Sequence, residues 1–204
     1  MLNFPQKLSQ TKLLLEKFIL QDGVNVIDPD STWISPTVSI GRGTVIYPNS
    51  YLIGNTSSII GENCEIGPSA YLRDWFRVGS RVKIGFNAEV TRSIICNETK
   101  IPHFCHVGDS VIGHYCNIAA GTVFCNYDGN KKQRITIGDY VFIGSGVNLI
   151  APVVIGDHAY IAAGAIVSKD VKPHDLIIGV NKAVEGKRSY YQYRSGDSNW
   201  NIST

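Results

Sequence analysis

The feature that most constrains this chain is a six-residue repeat. From Ile34 onward aliphatic residues return at every sixth position, Ile34, Ile40 and Ile46. After an insertion around 54–58 the register resumes at Ile60, Ile66, Leu72, Val78, Ile84 and Val90. It slips near Ile94 and Ile95, runs on through Ile101, Val107, Ile112 and Ile118, and breaks again over 125–134. It then continues through Ile137, Ile143, Leu149, Ile155, Ile161 and Val167. Gly often follows the aliphatic residue, as at Gly41, Gly61, Gly79, Gly85 and Gly138. Three positions past the Gly stands a small or compact residue, such as Thr44, Cys64, Val82, Ala88 or Val141. A helix repeats every 3.6 residues and a strand every two, so neither element alone carries a period of six. A short strand followed by a tight turn does. Three such units close a triangular coil of about 18 residues, and coils stack at about 4.8 Å. The aliphatic residue fills the inside of a face, the compact residue points inward near a corner, and Gly is expected to relieve the turn, where positive φ suits it.

The repeat predicts an all-β parallel solenoid over 34–171, about two-thirds of the chain. Residues 1–33 form a lead-in. Within it Leu8, Leu13, Leu14, Leu15, Phe18, Ile19 and Leu20, interspersed with Lys and Glu, predict a short amphipathic N-terminal helix that caps the first coil and hides an open sheet edge. Periodicity is lost in 172–204, where Ser189–Arg194 and the polar ending predict an irregular C-terminal arm lying on a surface.

Composition narrows the function. Nineteen Lys and Arg against 17 Asp and Glu give a net charge of +2, with no basic run, so no electrostatic case exists for nucleic acid or an anionic membrane. The apolar run Leu149–Ile155 contains Pro152 and is far short of the roughly 20 residues that span a bilayer. The N-terminal apolar stretch carries scattered Lys and Glu and no small-residue cleavage site, unlike a signal peptide. The chain is therefore expected in the cytoplasm. Five cysteines, without CxxC spacing, do not make a disulfide framework. Cys64, Cys105 and Cys116 fall on inward compact positions, where cysteine serves as a small hydrophobe. The five histidines do not reproduce the close His-x4-His ligand pair of the β-helical carbonic anhydrases, so no metal site is expected.

Chemistry is expected where the solenoid breaks, at Thr99–His106 and at Asn126–Arg134. The run Asn117–Gly129, which ends in Cys-Asn-Tyr-Asp-Gly, stands before Ile137–Ser145, Leu149–Gly156 and Ile161–Gly164. Together they resemble the acetyltransferase half of the bacterial bifunctional glucosamine-1-phosphate acetyltransferase/N-acetylglucosamine-1-phosphate uridyltransferase. The likeness extends upstream through Ile66–Arg73 and through Lys100, His103 and Gly108-Asp109. The nucleotidyltransferase half has no counterpart, so uridyl transfer is not expected. The resemblance implies a left-handed parallel β-helix, a homotrimer, and acetyl transfer from acetyl-CoA to the amine of glucosamine 1-phosphate in the UDP-N-acetylglucosamine pathway.

An attacking amine must lose a proton, so a base near neutral pKa is wanted. By the resemblance His103 is that base and Glu89 its acidic partner near the amine. Arg73 clamps the sugar phosphate, for which guanidinium geometry is suited. Asn117, Asn126, Tyr127 and Lys132 bind substrate, and Ala120, Ser145 and Ala163 line the CoA channel. Three positions depart from the pattern. Thr91 stands where the family has a phosphate-binding lysine, His106 where it has a tyrosine, and Val180 where it has a CoA-contacting arginine, with Lys182 nearby. Two alternatives stay open: N-acetyl transfer to another amino sugar or nucleotide-linked amino sugar, and a non-catalytic scaffold that stacks through its flat faces.

Overall fold

A computed structural model describes residues 23–180 and 182–184. The helix expected over Leu8–Leu20 and the arm from Ser189 onward lie outside them. Among the described residues the regular structure is all β, in 23 short strands that wind as a left-handed parallel β-helix. Three inward columns form its core. In a ten-stranded sheet Val26 faces Ile46, then Ile66, Ile84 and Ile101, and further along Ile118, Ile143, Ile161 and Ile177. The second column runs Ile34, Leu52, Leu72, Val90 and Val107, then Phe124, Leu149 and Val167. The third runs Ile40, Ile60, Val78, Ile95, Ile112, Ile137 and Ile155. All are buried. Each such side chain taken from water contributes about 1.5–3 kcal/mol, so the repeated aliphatic is what stabilises each coil.

The repeat glycines work differently from expectation. Of those following the aliphatic residue only Gly67 has positive φ. The rest are needed because neighbouring coils approach closely: a Cβ on Gly61 would lie 2.6 Å from the carbonyl carbon of Gly79. Positive φ falls instead two residues after the repeat glycine, on Asn63, Arg81, Tyr115, Tyr140 and His158, with His174 in the same corner column. There the rings of Tyr115, Tyr140, His158 and His174 stack at 4.8–4.9 Å, which offsets backbone strain with ring contact.

Two strands are long. Tyr71–Val78 and Glu89–Ile95 run through a corner and join two faces into one sheet, with a register shift between Thr91 and Ser93. At that corner Asp74 and Arg92 take positive φ, as does Asp109 in the next coil. Past Val171 the pairing continues: Leu176–Ile178 adds to the ten-stranded sheet, and Lys182–Val184 returns antiparallel along it. This return strand covers part of an edge that would otherwise be open.

Candidate active site

The charged corner is built on those two long strands. Arg73 Nε donates to Glu89 Oε1 at 2.6 Å and its Nη1 to Asp74 Oδ2 at 3.1 Å. The other Glu89 oxygen lies 3.1 Å from His106 Nδ1. Register explains the meeting, because Tyr71, Glu89 and His106 are successive neighbours on one face, as are Arg73 and Thr91. Arg92 donates from Nε and Nη2 to the two oxygens of Asp109, at 2.7 and 2.8 Å, and from Nη1 to Asp74. Asn126 completes the string by donating to Asp109 Oδ2 at 2.5 Å. His106, Glu89, Arg73, Asp74, Arg92, Asp109 and Asn126 thus form one continuous polar array.

Its carboxyls are held ionised. At Asp74 the Thr91 hydroxyl, ahead of Arg92 and Arg73, lowers the pKa below the usual carboxylate value. Burial pushes Glu89 up, but Arg73 and His106 together outweigh it and the net direction is down. Burial also raises Asp109, and Arg92, Asn126 and Lys132 reverse that. Gly108 makes room for the meeting: a Cβ there would come within 2.3 Å of Asn126 Nδ2 and 3.0 Å of His106 Nε2.

The expelled loop is held by its own polar groups. Asp128 Oδ1 accepts from the backbone of Asn130 at 2.8 Å and of Lys131 at 2.7 Å, and Oδ2 from Gln133 at 2.9 Å. These bonds, the Lys131 one first, take the carboxyl down to about 2. Tyr127 is exposed and donates to the Gly129 carbonyl at 2.7 Å. Lys132 pairs in backbone with Tyr127 and is exposed. A cavity of about 250 Å³ opens beneath the loop, lined by Trp75, Arg92, Ile94, Asp109, Lys132 and Arg134 among others.

The remaining expected residues occupy a second corner. His103 sits opposite Phe86 at the end of Lys100–His103; it is exposed, with the Phe104 ring at 6.4 Å. The flanking registers, Lys100 to Asn117 and His106 to Val123, put Ala120 beside His103 in the next coil. Gly146 donates to the Ala120 carbonyl and Gly164 to that of Ser145, so Ala120, Ser145 and Ala163 continue the column. Gly121, Gly146 and Gly164 take positive φ there, the last two with open space around them. Asn117 stands apart on the ten-stranded sheet, between Lys100 and Phe142.

The expected residues other than Asn117 therefore fall into three groups, two at the corners on either side of one face and one on the loop. Arg73, Glu89 and Asn126 are joined by hydrogen bonds; His103, Ala120, Ser145 and Ala163 share the neighbouring corner; Tyr127 and Lys132 sit on the loop. The sequence reading overlooked Asp74 and gave Arg92 and Asp109 no site role. The signal was available, since Asp74, Arg92 and Asp109 recur at about the length of one coil with alternating charge. Val180, in the place of the family's arginine, is exposed and bridges Ile166. Among the described residues no group of three or more His, Cys, Asp or Glu side chains is arranged to hold a metal ion. Among the described residues there is no helix long and apolar enough to cross a membrane.

Comparisons with known proteins agree with this architecture. The family model "Bacterial transferase hexapeptide (six repeats)" matches residues 57–92 and 134–169. The bifunctional protein GlmU of Carboxydothermus hydrogenoformans is 39% identical over 197 residues, spanning 81% of this chain and 44% of that protein. The GlmU protein of Mycobacterium tuberculosis is 41% identical over 187 residues, spanning 76% and 38%. The chain thus spans about two-fifths of the length of these relatives. Among solved structures, the UDP-N-acetylglucosamine acyltransferase of Francisella novicida aligns over 86% of this chain and 71% of that one, at 23% identity and a TM-score of 0.41. The polysialic acid O-acetyltransferase OatWY aligns over 87% and 96%, at 20% identity and a TM-score of 0.45. At these scores neither structure bears on the reaction. The chain is a hexapeptide-repeat protein homologous to the C-terminal region of the GlmU proteins.

Proposed function

We propose that the chain transfers the acetyl group of acetyl-CoA to the amine of an amino sugar. The observation that carries this reading is the polar face from His106 and Glu89 to Asn126, set beside the small-residue corner that begins at His103. On this reading pantetheine lies along Ala120, Ser145 and Ala163, where Gly146 and Gly164 leave space, and brings the thioester to His103. The amine nitrogen attacks the thioester carbonyl, a C–N bond forms, and the C–S bond breaks. His103 takes the proton from the amine and passes it to the departing sulfur, so that CoA leaves as its thiol. Holding amine and thioester together supplies much of the acceleration, and a backbone N–H supports the oxyanion. Glu89 faces the amine with Arg73 beside it, and Asn126, Tyr127 and Lys132 contact the sugar; Asn117, on the ten-stranded sheet, lies off this face. The working form is a homotrimer in the cytoplasm.

The family resemblance implies glucosamine 1-phosphate as acceptor. A second reading, another amino sugar, is favoured by Thr91, which is fully buried and turned toward Asp74, so no lysine meets a phosphate there. Release of CoA thiol with acetyl-CoA and a panel of free, phosphorylated and nucleotide-linked amino sugars tests the proposal. Thiol release with at least one acceptor is expected. Failure to bind acetyl-CoA, with no turnover on any of them, would leave the scaffold reading in its place.

A further inference from the structure

We infer that the acceptor presents no phosphate monoester to the Arg73 corner, and that Asp74 sets this preference; the inference rests on the amino-sugar reading above. Both guanidiniums of the corner are already matched by carboxylates. Arg73 is held by Glu89 at 2.6 Å and by Asp74 at 3.1 Å. Arg92 is held bidentately by Asp109 at 2.7 and 2.8 Å and again by Asp74. Asp74 therefore touches both cations, and the Thr91 hydroxyl donates to the same Asp74 oxygen at 2.8 Å. Three carboxylates meet two guanidiniums, and at Arg73 itself the ratio is two to one.

A phosphate monoester carries about 1.5–2 negative charges near neutral pH. To reach Arg73 it would have to take the N–H groups that Asp74 and Glu89 leave, and there it would sit beside both carboxylates. Lys132 acts on Asp109 from the loop, but it does not rescue the arrangement. Asp109 lies two coils from Asp74, about 10 Å along the stack, which is about one screening length at physiological salt. A hydroxyl-bearing ring meets no such conflict. It accepts from the N–H groups Arg73 has left and donates to the carboxylates, and its ammonium, before losing a proton, is favoured near Glu89. The class assigned is a hexosamine that is free or in neutral glycosidic linkage.

The test compares glucosamine, its methyl glycoside and glucosamine 1-phosphate on the whole chain, by calorimetric binding and by kcat/KM with acetyl-CoA, in wild type and Asp74→Asn. Wild type is expected to favour the two phosphate-free compounds at least ten-fold. Asp74→Asn is expected to shift that ratio ten-fold or more toward the phosphate. A wild-type preference for glucosamine 1-phosphate would overturn the inference, and so would an unchanged ratio in a folded Asp74→Asn variant. Should that variant not fold, Asp74→Ser and the wild-type ratio decide. Preferential binding without thiol release would sink acetyl transfer while leaving the inference standing. Binding of none of the three would overturn the inference.

Discussion

Single side chains in this solenoid differ mainly in what the neighbouring coil offers them. His103 stands exposed at a corner, free to meet a substrate, while His106, three residues on, is tied to Glu89 and through it to Arg73. Asp109 holds Arg92 by both oxygens and accepts from Asn126. Removing it leaves Arg92 with Asp74 as its one carboxylate partner and the Asn126 amide without its acceptor, and groups left unpaired cost more than the bonds themselves contribute. Asp109→Ala is therefore expected to raise the acceptor KM several-fold with a smaller change in kcat, as steady-state kinetics would read. An unchanged KM would take the Asp109–Asn126 pair out of acceptor binding. Sequence alone pointed to Arg73, Glu89 and Asn126, because each stands in a stretch resembling the family. Asp74 was not legible that way: it acquires its role only when the coil brings Arg92 and Thr91 alongside.

At the scale of one strand and turn, the six-residue period was enough to place the inward columns, because burial selects the aliphatic at each step. It did not reveal what the glycines do. Gly61 faces the backbone of Gly79 across the stack, whereas Gly164 sits at φ 72° with nothing near it. Ala at 61 must push backbone aside, at about 1–3 kcal/mol. Asn at 164 meets no neighbour, and Asn takes positive φ at several corners of this fold. Gly61→Ala is expected to lower the chemical denaturation midpoint clearly, and Gly164→Asn to lower it by less; the reverse order would refute the close-approach account. The expelled loop depends in the same local way on Asp128. Asp128→Ala is expected to increase amide exchange at Asn130 and Lys131, whose N–H groups it accepts, and equal protection in variant and wild type would contradict that role.

Across the whole molecule, stacked coils distribute the same few interactions many times, so the charged corner shows itself most clearly through pH. Asp74, Glu89 and Asp109 all have folded pKa values below their ordinary ones. Their contribution is complete above the unfolded carboxylate range, near pH 4, and is lost as pH falls through the lower folded values. The denaturation midpoint is expected to hold steady from pH 7 to about 5 and to fall below about 4. Replacing the three with Asn, Gln and Asn should flatten that fall, and an equally steep loss in the triple variant would place the acid sensitivity elsewhere. The central claim is narrower than stability: a face of this solenoid acetylates an amine with help from His103. CoA thiol release from acetyl-CoA and the best amino-sugar acceptor, compared between wild type and His103→Ala, tests it most directly. The account predicts a loss of about 10²–10⁴ in turnover with acetyl-CoA binding retained. Wild-type turnover in the variant would contradict it.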